Sequence, residues 1–242
     1  LKQAYFNWSS GKDSALALYQ ILQQSEFEIT QLVTTVNADV NRVSMHGLRE
    51  ELLDLQAEAL GFPLEKISLN GNVSMSEYSR ILGDAARRLK DAGNTHAIFG
   101  DIFLEDLRKY REDQLKSVGL QAVFPLWEQD TKALINKFID LGFKAITVCV
   151  NAKLLDESFA GRVIDKQFIA DLPEGVDPCG ENGEFHTFVF DGPIFKNPVD
   201  FRIGEKMLRN YAPADNEEDN CFSDDEKLWD TGFWFCDLVP GS

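Results

Sequence analysis

Ala4-Tyr5-Phe6-Asn7-Trp8-Ser9-Ser10-Gly11-Lys12-Asp13-Ser14 passes from an apolar run, through a turn of small residues, into a helical pattern. The helix is marked by Ala15, Leu18, Tyr19 and Leu22 at i, i+3, i+4 and i+7. Asp13 and Ser14 lie in its first turn, where an acidic side chain or a hydroxyl is favoured. A strand, a tight turn and a helix in this order aim unpaired backbone N–H groups and the positive end of the helix dipole at one point. That arrangement suits a phosphate or pyrophosphate.

Working outward, short β-rich runs alternate with helical patterns of the length expected for βαβ units, which implies an α/β fold with a parallel sheet. Strands are expected near residues 3–8, 29–37, 64–69, 95–101 and 121–126, with helices near 13–24, 47–60, 75–92 and 105–118. Pro125-Leu126-Trp127 reads as the exit from this half, dividing the chain into 1–126 and 127–242. Ligands of an open sheet sit beyond the carboxyl ends of its strands, so Ser9 to Ser14, Asn37 to Asp39 and Gly100-Asp101 should face one crevice. The second half opens with a helix near 130–141 and an apolar strand, 145–150, and continues with a strand through Phe185, Thr187, Val189 and Phe190. Residues 215–226 hold seven acids and no base, the composition of a solvated loop rather than a metal site. The aromatic close, Trp229 to Phe235, is expected to dock back onto the domain.

The chain has 242 residues, 44% of them hydrophobic, ample for a buried core. With 24 basic against 40 acidic residues the net charge is −16, which disfavours a general nucleic-acid-binding surface. Cys149, Cys179, Cys221 and Cys236 form no C-x-x-C pair and read as reduced thiols of a cytoplasmic protein rather than zinc ligands. No run approaches the ~18 apolar residues of a membrane span, and no signal-peptide pattern opens the chain. Because the first residue is Leu1 rather than Met, a few preceding residues are expected to be missing.

A second polar constellation is Asp177-Pro178-Cys179-Gly180-Glu181-Asn182-Gly183-Glu184-Phe185-His186-Thr187. Its glycines allow a tight backbone path. Extended from Glu184 onward, the chain would project Glu184 and His186 to one face and Phe185 and Thr187 to the other. A carboxylate beside an imidazole can move a proton, bind an ammonium-like nucleophile or position a substrate carboxylate. The alternative is a polar hairpin with solvated side chains.

The Walker pattern would need glycine at Phe6 and Ser or Thr at Asp13, and no G-x-G-x-x-G follows any apolar run. Ser9 to Ser14 instead resembles the S-G-G-x-D-S loop of the ATP pyrophosphatases, with Ser10 in place of the usual first glycine. That loop with Gly100-Asp101-Ile102, Pro125-Leu126-Trp127, Gly142-Phe143-Lys144-Ala145, Gly180 to Thr187 and Asp191-Gly192-Pro193 is similar, in order, to the diphthine-ammonia ligase family. The resemblance spans most of the chain. It implies a Rossmann-like parallel sheet flanked by helices, of the PP-loop type, with a smaller C-terminal α+β domain on the substrate side. It implies an activity in which ATP activates a carboxylate as an acyl-adenylate and ammonia displaces AMP. Ligases of the family resemble G-E-G-G-E-F-E-T where this chain has Asn182 and His186, and carry Tyr-Gln where it has Asp106-Leu107. Those departures fall on the substrate side and indicate a divergent branch, bacterial among the candidates, for which two acceptors stand open: diphthine, or a different carboxylate or carbonyl compound.

By this resemblance Ser9, Ser10, Gly11 and Ser14 hold the pyrophosphate, with Lys12 either an auxiliary charge or an exposed helix residue. Asp13 and Asp101 are the expected Mg2+ carboxylates, or caps of a helix and a strand. Asn37, Val36 and Gly100 fall at strand ends on the nucleotide side, Val36 also being a plausible core residue. His46 and Arg49 reach the crevice or serve helix entry and surface. Arg108, with Arg111, neutralises an anionic substrate or pairs with Glu105 or Glu112. Glu181, Glu184, His186 and Thr187 are assigned to the acceptor, with Asp13, Lys12, Glu184 and His186 as the catalytic set. A different class of function on the same fold is an ATP- or AMP-binding regulatory module without turnover.

Overall fold

A computed structural model of the chain describes residues 1–43, 47–70, 73–210 and 232–241. Strands β1 (Lys2–Asn7), β2 (Phe27–Asn37), β3 (Arg42–Val43), β4 (Leu64–Leu69), β5 (His96–Ile98) and β6 (Gln121–Val123) form one sheet. Across it β4, β2, β1, β5 and β6 run parallel, and β3 pairs antiparallel with the last two residues of β2. Helices α1 (Lys12–Gln24), α2 (Glu50–Leu60), α3 (Met75–Asp91) and α4 (Glu105–Ser117) make the connections. The chain moves outward from β1 through β2 to β4 and returns to the other side of β1 with β5. The crevice between the ends of β1 and β5 is therefore the switch point at which open α/β sheets take ligands.

Alternation along β1 covers both faces of the sheet, as a parallel sheet requires. Ala4, Phe6 and Trp8 join a cluster with Leu18 and Ile21 of α1 and Leu52 and Leu53 of α2. Tyr5 faces the other way, onto Ala85, Ala86 and Leu89 of α3 and Leu115 of α4.

The second half contributes α5 (Thr131–Asp140), β7 (Lys144–Asn151), a 3-10 turn at Glu157–Phe159, α6 (Lys166–Asp171), β8 (Phe185–Asp191), β9 (Phe201–Asn210) and β10 (Gly232–Pro240). Its strands form an antiparallel sheet in the order β8-β7-β10-β9. Phe138, Ile146, Val148, Phe188 and Leu238 extend the α1–α2 cluster, so the second sheet shares that core. Among the described residues no helix is long and apolar enough to cross a membrane.

The expected helix from 47 begins at Glu50, because Gly47 takes a left-handed φ of 66° and Arg49 is extended. The expected strand over 95–101 stops at Ile98, leaving Gly100-Asp101 in the loop that follows. Strands β9 and β10 were not anticipated. Most of β9 is exposed and lacks an apolar face to announce it, while β10 absorbs the aromatic close from Gly232 onward. The acidic run 215–226 and Trp229 lie outside the described residues.

Candidate active site

Ser9 to Ser14 leaves β1 and enters α1 at the switch point. The Ser9 and Ser14 hydroxyls are 2.7 Å apart, and the Ser9 N–H donates to Ser14 Oγ at 3.1 Å. Ser10 is fully buried with φ of 71°, the left-handed region that costs a residue with a side chain about 1–2 kcal/mol. This is the position where the resembling loops carry glycine. Gly11, the N-cap of α1, has no side chain to cap the helix, and of the N–H groups in the first turn that of Lys12 goes to Thr187 Oγ1; the helix dipole still favours an anion at this end.

Gly100 lies against the start of α1. A Cβ there would sit 3.0 Å from Ser14 N and 3.1 Å from Asp13 C, backbone atoms that cannot swing aside. Gly100→Ala is expected to displace the helix entry, destabilise the protein by about 1–3 kcal/mol and weaken ATP several-fold. Titration calorimetry with thermal melts checks this; wild-type affinity in a destabilised variant would separate the β5 loop from the nucleotide site.

Lys12 is 3% exposed, so it is not a surface helix residue. Its ammonium contacts Asp13 Oδ1 at 3.0 Å and Oδ2 at 2.8 Å. Burial alone would lower the Lys12 pKa, but Asp13 outweighs it and the net shift is upward. The Lys12 backbone N–H donates to Thr187 Oγ1 at 3.1 Å, and Lys12 Nζ stands 5.6 Å from the centre of the Phe185 ring. The two polar constellations, far apart in sequence, thus meet directly.

The 177–184 turn is built by its own carboxylates. Asp177 Oδ1 accepts from the N–H groups of Cys179 at 2.8 Å and Glu181 at 3.3 Å, while its Oδ2 accepts from Thr131 Oγ1 at 2.7 Å. Glu184, 1% exposed, accepts from Asp177 N at 2.9 Å, Asn182 N at 2.8 Å and Asn182 Nδ2 at 3.1 Å. Glu184, expected beside His186 as an acid–base pair, turns its oxygens back into the turn, where the backbone donors are.

Glu181 is half-buried, and burial together with Asp13 pushes its carboxyl up to about 8 against the pull of Lys12. Burial and the Lys12 ammonium push the half-buried His186 imidazole down to about 4, so it is neutral at pH 7. A carboxyl raised from 4.5 to about 8 contributes stability that is complete below 4.5 and lost as pH rises through 8. The depressed histidine acts oppositely, its contribution present above 6.5 and lost as pH falls through about 4. Glu181→Gln should therefore gain stability relative to wild type between about pH 5 and 8, on the order of 1–3 kcal/mol after solvent screening. Urea midpoints across that range check it; a constant difference would contradict the assignment.

The remaining candidates have partners of their own. Asp101 is ion-paired with Arg111, whose guanidinium lies 4.4 Å from the Phe99 ring centre. Arg108 lies 4.5 Å from the Trp127 ring centre and pairs with Glu112 at 2.8 Å. Arg49, expected at the crevice, instead forks onto Asp237 of β10 at 2.6 and 3.1 Å, where Arg42 joins at 3.0 Å. Asn37 Oδ1 accepts from Asp39 N at 2.9 Å, and Val36 is a core residue at 1% exposure. His46 lies outside the described residues. Among the described residues no group of three or more His, Cys, Asp or Glu side chains is placed to hold a metal. Asp177 and Gln56 went unassigned in the sequence; the signal for Gln56 is an amide amid the apolar stripe Leu52, Leu53, Ala57 and Leu60.

Residues 2–122 match the family model of the diphthamide synthase N-terminal domain, and residues 130–214 that of the diphthamide synthase C-terminal domain. The chain belongs to the diphthamide synthase family. Its relatives include a diphthine–ammonia ligase of Danio rerio, 29% identical over 233 residues, with 85% of this chain and 90% of the relative covered. The diphthine–ammonia ligase of Homo sapiens is 27% identical over 232 residues, covering 85% and 86%. A solved structure described as a predicted subunit of tRNA methyltransferase from Methanocaldococcus jannaschii is 18% identical with a TM-score of 0.41, covering 60% of this chain and 77% of that one. This last likeness is too distant to bear on activity. As a diphthamide synthase family member the chain is an ATP-dependent carbon–nitrogen ligase, the class that Ser9 to Ser14 and Gly180 to Thr187 pointed to.

Proposed function

We propose that the chain uses ATP to adenylylate a carboxylate, releasing pyrophosphate, and that ammonia or another amine then displaces AMP to leave an amide. The observation that carries this is the meeting of the N-terminus of α1 and the Lys12–Asp13 pair with the turn bearing Glu181 and the start of β8 bearing His186 and Thr187. Phosphate-stabilising charge and proton-handling groups share one place. Ser9, Ser10, Gly11 and Ser14 frame the pyrophosphate, and Lys12 steadies its charge. Residues 1–126 thereby serve the nucleotide and 127–242 the acceptor, with Thr187 bracing the loop from the acceptor side.

Mg2+ fits this site through Asp13 and Asp101, since it is held by one or two carboxylates plus phosphate oxygens. The Asp13 side chain keeps 29% of its surface exposed and the Asp101 side chain 17%, so each retains an approachable face beside its cation. Mg2+ would supply charge neutralisation at the phosphate oxygens. Glu181, whose carboxyl holds a proton well above the usual carboxylate range, accepts the proton that the incoming amine releases, and the neutral His186 imidazole orients that amine by hydrogen bonding; Glu184 steadies the turn that carries Glu181. Arg108 and Thr187 flank the acceptor. Arg49 acts through Asp237.

The acceptor is a carboxylate on a small molecule or a protein side chain. Diphthine, named for the relatives, is one candidate, with Asn182, His186 and Asp106-Leu107 setting this chain apart. A cytoplasmic location suits ATP use and the free, buried Cys149, Cys179 and Cys236. The test is pyrophosphate release from ATP with ammonium and a metabolite or protein-extract pool. Release that requires both pool and ammonium supports the ligase; ATP or AMP binding without pool-dependent release would favour a regulatory module.

A further inference from the structure

The geometry points to Gln56 of α2 as a positioning residue that holds the Ser10–Gly11 peptide of the nucleotide loop and ties it to β8. The inference rests on the reading of Ser9 to Ser14 as the pyrophosphate loop.

Gln56 is fully buried on the face of α2 otherwise lined by Leu52, Leu53, Ala57 and Leu60. An amide in such a place is costly unless hydrogen-bonded. Its Nε2 donates to Ser10 O at 3.0 Å and to Val189 O at 2.6 Å, and its Oε1 accepts from the Trp8 indole at 2.9 Å. One side chain thus joins the exit of β1, the loop and β8. Ser10 O also accepts from Val189 N at 3.0 Å, so the carbonyl is held from two directions.

Ser10 needs such a hold. Its left-handed backbone is unfavourable for a residue with a Cβ, and its hydroxyl, fully buried, finds no partner among the described residues. The side chain contributes no bond that fixes the conformation; the carbonyl does. In a planar trans peptide the Ser10 carbonyl and the Gly11 N–H point opposite ways. Anchoring the carbonyl on the α2 and β8 side therefore turns the Gly11 N–H the other way, where its contact with Ser9 Oγ is a long 3.4 Å. That N–H is then available to a phosphate oxygen. Because Val189 shares β8 with His186 and Thr187, the same amide fixes the loop relative to the acceptor side.

The test compares ATP affinity of Gln56→Leu with and without Ser10→Gly, alongside melting temperatures. Gln56→Leu alone should weaken ATP about tenfold, as the Ser10 backbone relaxes from its strained conformation. With Ser10→Gly present, the same substitution should cost no more than about twofold, because glycine adopts a positive φ without penalty. Equal fold losses in both backgrounds would mean that Gln56 only packs, and overturn the inference, as would undiminished affinity in Gln56→Leu. Absence of ATP binding by the wild type would instead strike the nucleotide loop itself, and this inference with it. Should Gln56→Leu fail to fold, Gln56→Met keeps the side-chain length and removes both donors, and the same comparison decides.

Discussion

Asp13→Asn is expected to lower ATP-dependent pyrophosphate release by about 10²–10³-fold, the largest effect of any single substitution in the site. The carboxylate meets the Lys12 ammonium with both oxygens, and that ammonium is buried. Removing the counterion leaves an unpaired buried charge, a change that typically costs about 3–5 kcal/mol. The asparagine also withdraws one of the proposed Mg2+ carboxylates. The sign of the accompanying pH effect is fixed by which influence remains. With Asp13 present the Lys12 pKa lies above its ordinary 10.5; in Asp13→Asn, burial, the largest single influence, is expected to shift the pKa downward against the opposing Cys179 and Glu181. A lysine whose folded pKa is depressed costs stability at neutral pH and recovers it as pH rises toward 10.5. The urea midpoint of Asp13→Asn should therefore sit below wild type at pH 7 and approach it in alkali. A uniform deficit at every pH would contradict the pairing.

Glu184→Gln should suppress acceptor-dependent turnover by about a hundredfold while changing ATP affinity by no more than a few fold, the donors to Glu184 being charge-assisted. Two backbone N–H groups and the Asn182 amide converge on the Glu184 carboxylate. Glutamine offers one oxygen and presents an NH2 to donors that need an acceptor. The expected destabilisation is about 2–4 kcal/mol, with the turn loosening and Glu181 leaving its place beside Lys12 and Asp13. The nucleotide contacts proposed for α1 and Ser9 to Ser14 are expected to remain. ATP affinity lost, with turnover retained at saturating ATP, would reverse the division of labour between the halves.

Much of this was legible in the sequence where local chemistry and tertiary structure agree. Ala15, Leu18 and Tyr19 announce α1 because a helix with one buried face repeats its apolar positions, and β4 falls at 64–69 because turn residues bound a β-rich run. Strand ends were less legible. Gly100-Asp101 looked like strand, but β5 ends at Ile98, with one further backbone bond from Phe99 N to Val123 O, and Gly100 packs against the start of α1 instead. The site residues were found by type and then placed by partners the sequence does not announce. Arg49 was expected near substrate, but Asp237, 188 residues away, takes its fork. Glu184 had the chemistry of a general base, yet the backbone of its own turn claims both oxygens. Gln56 escaped notice because an amide in an apolar stripe acquires meaning only when the Ser10 and Val189 carbonyls stand beside it.

In the proposed reaction one site, made by Ser9 to Ser14 and the 177–187 turn, cleaves ATP between its α and β phosphates to make an amide. The most direct measurement is chromatography of nucleotide and phosphate products during acceptor- and ammonium-dependent turnover, with the amide quantified in the same samples. AMP, pyrophosphate and amide are expected in equal amounts; ADP and orthophosphate as the products accompanying the amide would rule out the proposed reaction.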